Sequence, residues 1–118
     1  MNTEQFNLAY LDKWMEDNKL EERAKEGCFT YLENYLIHHP QDFNERFILA
    51  EDIKNIETEL YKIDLTISYR NDFEPSPIEY ISMILKMINS EKVIGYYKSI
   101  FSLDGEEIDD YILDDETF

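Results

Sequence analysis

At 118 residues the chain has the length of one ordinary domain, enough to bury roughly two-thirds of its unfolded surface. Its 43% hydrophobic and 14% aromatic content separates it from acidic disordered tails, which lack the aromatics and branched aliphatics a core needs. A formal net charge of −16 opposes binding to nucleic acid or an anionic membrane surface and favours encounters with cationic partners.

Along the chain, Thr3 can cap a first helix in which Phe6, Tyr10 and Trp14 recur every four residues beside Leu11 and Met15. A second helix is predicted from the stripe Leu20, Ala24, Cys28, Tyr31, Leu32, Tyr35 and Leu36, ending before Pro40 because proline restricts the residue ahead of it. Gly27 either weakens that helix or lets another element approach closely. Asp42 and Glu45 resemble a capping box, followed by Phe43, Phe47, Ala50, Ile53 and Ile56, which predicts a third helix of about four turns.

The period then changes. Tyr61, Ile63, Leu65, Ile67 and Tyr69 alternate with Lys62, Asp64, Thr66 and Ser68, the pattern of a strand over 61–69 with one buried and one wet face. After a polar turn at Arg70, Asn71 and Asp72, the run Ser76, Pro77, Ile78, Glu79 supplies a cap, a proline at the first helical position and a glutamate at the third. With Ile78, Ile81, Leu85 and Ile88 at helical spacing, it predicts a fourth helix over 77–88. Alternation returns over 93–103, and Asp104-Gly105 predicts a two-residue primed turn into a last strand.

That turn sets Leu103 opposite Glu106, Phe101 opposite Ile108 and Tyr97 opposite Ile112 on one face, with Ile100 opposite Asp109, Lys98 opposite Tyr111 and Tyr96 opposite Leu113 on the other. One pair is discordant. Ser99 falls opposite Asp110 on the buried side, where a carboxylate needs a hydrogen bond or a bulge to turn it outward. The expected fold is α+β in a single domain over 1–118: three N-terminal helices, then strand, helix, strand, strand, in a small antiparallel or mixed sheet with helices on one face.

The residues offer no catalytic constellation, so the expectation is a non-enzyme without metal or cofactor. Lone Cys28 reads as a buried thiol, and with no secretory signal or apolar run of membrane-spanning length the expected location is cytoplasmic. His38 and His39 are adjacent at a helix end and diverge, which fits neither metal spacing nor a nucleophilic triad. In Asp104-Gly105-Glu106-Glu107 the glycine stands second, whereas a calcium loop needs it sixth.

Charge is the informative feature. Residues 1–59 hold fourteen acids and six bases, residues 60–103 five of each, and residues 104–118 eight acids and no base. The hairpin's outer face carries Ile94, Tyr96, Ile100, Tyr111 and Leu113 among Lys98 and Asp109, an apolar and tyrosine-rich patch rimmed by acids that suits a docking partner, a helix or a second copy. The predicted partner-binding residues are Tyr96 and Tyr111 as anchors, with Glu106, Glu107, Asp109, Asp114 and Asp115 steering a basic protein.

In size, acidity and mixed helix-and-sheet pattern, across the whole chain and without a shared motif, the sequence resembles small acidic bacterial immunity proteins. The resemblance implies a cytoplasmic, non-catalytic inhibitor bound one-to-one to a toxin or nuclease. A DNA mimic of the anti-restriction type is the alternative, disfavoured by the neutral middle third. A scaffolding or assembly domain kept soluble by its charge is another. Either a monomer or a homodimer is compatible with these readings.

Overall fold

The computed structural model describes residues 8–47, 50–68 and 78–113. Three helices, α1 (Leu8–Asp17), α2 (Leu20–His38) and α3 (Pro40–Arg46), and a 3-10 segment (Ala50–Asn55) precede four strands. The strands β1 (Glu57–Ser68), β2 (Ile78–Asn89), β3 (Lys92–Ser102) and β4 (Glu107–Leu113) form one antiparallel sheet in the order β1-β2-β3-β4. The α+β class holds, but the order strand-helix-strand-strand does not.

The helical half follows its periodicity. Leu20, Ala24, Cys28 and Leu32, four residues apart, are the buried face of α2. Trp14 and Met15 of α1 pack against the same core. Between the two helices Lys19 is left-handed (φ 54°), and the Trp14 carbonyl accepts both the Asn18 backbone amide, at 3.1 Å, and the Asn18 side-chain amide, at 2.8 Å. The expected third helix is shorter than its apolar spacing suggests. It begins at Pro40, whose fixed φ suits a first helical position, and ends at Arg46, leaving Ile53 and Ile56 buried in and just after the 3-10 segment. Thr3, Phe6 and Tyr69 lie outside the described residues. Among those described, no helix is long and apolar enough to cross a membrane.

The predicted fourth helix is strand β2. Its capping signal, Ser76 and Pro77, lies outside the described residues; the isoleucines themselves are paired on both sides, Ile81 with Leu65 and with Phe101. Met83, Leu85 and Met87 face the helices, while Ser82 and Ile84 are buried on the opposite face. A strand buried on both faces loses the apolar–polar alternation that marks a strand, and its apolar run imitates a helix stripe.

Bulges adjust the faces of the neighbouring strands. In β1 the register skips Tyr61, so Leu60 shares a face with Leu85 while Tyr61 turns to the outer face, its ring centroid 5.3 Å from that of Tyr96. In β3 the register skips Ile94, which packs against the core and not on the outer face as predicted. The β2–β3 connection is a two-residue turn, Ser90 and Glu91, with φ of 52° and 66°.

Candidate functional site

The β3–β4 hairpin and α2 build the site together. At the hairpin tip the Gly105 amide donates to the Ser102 carbonyl and the Ser102 amide to the Glu106 carbonyl; Gly105 alone has positive φ, at 86°. This is a three-residue loop with a glycine bulge, and it corrects the two-residue primed turn expected at Asp104-Gly105. The extra residue moves the register by one at the tip. Phe101 pairs with Glu107 instead of Ile108, whereas the predicted pairs from Ile100–Asp109 to Tyr96–Leu113 hold.

The shift turns Ile108 outward, 55% exposed, near the 38% exposed Leu103. Their neighbours along the chain, Asp104, Glu106, Glu107 and Asp109, are all exposed acids. An isoleucine that remains wet in a domain with a formed core gains burial only when something covers it.

Beneath the tip, a bond from α2 holds the hairpin turn, and two side-chain bonds tie β3 to β4. The Arg23 guanidinium donates to the Gly105 carbonyl at 2.6 Å and lies 5.1 Å from the centroid of the Phe101 ring. The Tyr97 hydroxyl donates to Asp110 at 2.6 Å, and the Ser99 hydroxyl to Glu107 at 3.2 Å. The discordant Ser99–Asp110 pair is thereby resolved, because the half-buried carboxylate accepts a phenol proton. Gly27 permits the approach: a Cβ there would lie 2.7 Å from the Tyr97 hydroxyl.

A cleft of about 910 Å³ runs between α2, α3 and β4, with Tyr31, Tyr35, Glu107 and Asp110 on its walls and His38 and His39 at one end. Tyr31 links the walls, its ring edge-on to both Tyr35 and Tyr97. Burial, then the nearby Asp110 carboxylate, push the Cys28 thiol up to about 12, so it is no nucleophile near neutrality. Tyr97 is pushed far above the ordinary phenol range, first by burial and then by its bond to Asp110. Tyr35 is raised chiefly because its hydroxyl donates to Asp42, at 2.5 Å. Among the described residues no group of three His, Cys, Asp or Glu side chains is arranged to hold a metal ion.

The residues predicted for partner binding are divided between two faces. Tyr96 and Tyr111 lie with Asp109 on the outer sheet face, away from the helices; Tyr96 is only 4% exposed, and Tyr111 is half-buried with the Lys98 ammonium 5.5 Å from its ring centroid. Glu107 faces the cleft, Glu106 lies at the tip, and Asp114 and Asp115 lie outside the described residues. Ile108 was missed because its exposure depends on the bulge, for which glycine in a three-residue loop was the available signal. Arg23 was missed because nothing local marks a bond to a residue 82 positions away. No protein-family model matches the chain, and neither a curated protein nor a solved structure shows significant similarity to it.

Proposed function

We propose that this chain is a non-catalytic acidic binding protein, an intracellular inhibitor of the immunity type that covers a basic site on a toxin or nuclease. The observation that carries the reading is the hairpin tip, where wet Ile108 and Leu103 have four exposed acids as neighbours along the chain. An apolar centre supplies burial, and the surrounding acids steer a basic surface toward it. The resemblance in size, charge and mixed pattern to bacterial immunity proteins points the same way. Tyr96 is too deeply buried to serve as the anchor, and that role passes to Ile108.

The test is co-expression with a secreted toxin or nuclease encoded beside the gene. The chain should neutralise it and co-purify with it one-to-one. In binding kinetics at two ionic strengths, joint replacement Glu106→Gln, Glu107→Gln and Asp109→Asn should slow association and flatten its salt dependence. Ile108→Ala should act mainly on dissociation. Unchanged association in the acid variant would remove the hairpin from the interface.

A further inference from the structure

The other edge of the sheet carries a pattern that is complementary to itself. Leu60, Leu65 and Ile67 lie on the helix-facing side of β1, yet they are 36%, 41% and 37% exposed. On the opposite side the Lys62 ammonium lies 3.6 Å from the Asp64 carboxylate, and both side chains are nearly half exposed. The strand is twelve residues long and contains no proline, and among the described residues it is paired on one flank alone, with β2. Such an edge offers a row of backbone donors and acceptors to another chain.

We propose that β1 pairs with β1 of a second copy, antiparallel about a twofold axis through Ile63 and normal to the sheet, joining two four-stranded sheets into one of eight. Charge complementarity selects this occupant. With the axis at Ile63, Lys62 of each copy stands opposite Asp64 of the other, so two cross-strand ion pairs form from groups each copy already carries. Passing over the bulged Tyr61, Leu60 opposes Leu65 and Thr58 opposes Ile67 on the helix side. On the outer side Glu59 opposes Thr66, and no acid faces an acid. A shift of the axis by one residue, to Lys62 or Asp64, puts like charges face to face. The charge pattern therefore favours this register over its immediate neighbours, and it is the one that opposes Lys62 to Asp64.

On the helix side a cleft of about 350 Å³ has Met15, Leu60, Ile63 and Met83 on one part of its wall and Asp12, Glu16, Lys19, Glu21 and Glu22 on the other, and in this pairing Leu65 of the second copy stands opposite Leu60 at its apolar part. A lysine on an edge strand ordinarily blocks pairing, since desolvating it is costly; across this axis Lys62 meets a carboxylate of the other copy.

Sedimentation equilibrium on the whole chain tests the proposal from about 10 µM to about 1 mM, the range in which an interface of modest area populates. The chain should pass from monomer to dimer. Lys62→Asp alone, or Asp64→Lys alone, places like charges across the axis and should weaken association by roughly tenfold or more. The double exchange, Lys62→Asp with Asp64→Lys, restores opposite charges at both positions and should restore the dimer, with circular dichroism showing each variant folded. A monomer throughout the range, or a dimer indifferent to the single reversals, overturns the proposal. So does a double exchange that fails to recover association.

Discussion

Strand β4 is seven residues long, carries three acids and no base, and is bonded to β3 through Tyr97 and Ser99, while Arg23 of α2 bonds the turn that precedes it. Strand β1, at the other edge of the same sheet, is twelve residues long, mixes three acids with Lys62, and leaves its apolar side partly wet. Self-pairing of β4 about Asp109 or Asp110 would bring carboxylates face to face, whereas β1 has a register that matches opposite charges. Edge protection by charge thus differs along one sheet. At β4 the like charges oppose pairing with a copy, whereas at β1 the mixture of signs allows a complementary register.

The largest expected effect belongs to the clamped side and appears at alkaline pH. Cys28 and Tyr97 lie beneath the β4 edge, and burial raises both. The thiol's ordinary value of 9.0 rises to about 12 on folding, so above pH 9 the unfolded chain releases a proton that the folded chain keeps. Stability is therefore full below pH 9 and is lost as pH climbs toward 12, by up to about 4 kcal/mol at roughly 1.4 kcal/mol per pH unit. Tyr97 acts in the same direction from pH 10 upward. Urea unfolding at half-unit steps from about pH 8 to pH 11 should show this decline, and Cys28→Ala should flatten its first part. A Cys28→Ala curve parallel to that of the wild type would mean that the thiol is not buried as described.

Next in size is Arg23→Ala. It removes a charge-assisted bond to the Gly105 carbonyl and the guanidinium contact with Phe101, together worth about 2–3 kcal/mol. On the β1 side, Lys62→Ala at protein concentrations where the chain is monomeric should cost less than about 0.5 kcal/mol, since that pair is largely exposed. Both follow from the urea midpoint at constant slope. Equal losses would erase the distinction between a clamped and an open edge.

Much of this contrast was legible in the residues, and the rest failed for identifiable reasons. The four-residue recurrence of Leu20, Ala24, Cys28 and Leu32 marks α2 because helical burial is a local property. The same recurrence in Ile78, Ile81, Leu85 and Ile88 misleads, because β2 gains its stability from β1 and β3, beyond any local window. Alternation in β1 located the strand, but its apolar side is half wet because an edge strand has a neighbour on one flank only. The acids of 104–113 were legible as a block, but not their division between the cleft and the outer face; the exposure of Ile108 depended on one extra residue at the tip, and the cation bonded to Gly105 on a helix far earlier in the chain.

Another pair of modest effects distinguishes the two hairpin turns. At the β3–β4 tip the residue with positive φ is Gly105, where a Cβ would also lie 2.6 Å from the Asn18 amide oxygen. At the β2–β3 turn both central residues, Ser90 and Glu91, have positive φ without being glycine, asparagine or aspartate. The backbone there follows the strand twist with side chains that a primed turn does not favour, so Ser90 and Glu91 carry no turn signal. Ser90→Asn with Glu91→Gly supplies the residues that such a turn prefers. Relief of left-handed strain outweighs the added freedom of the unfolded chain, so the pair should stabilise by about 0.5–1 kcal/mol. Gly105→Ala should do the reverse by about 1–2 kcal/mol, since it adds both strain and a clash. The urea midpoint should therefore move up for the first variant and down for the second, with slopes unchanged. If Ser90→Asn with Glu91→Gly lowered the midpoint, the turn would not be the two-residue primed form, and the register that carries Tyr96 and Tyr97 to their faces would need another origin.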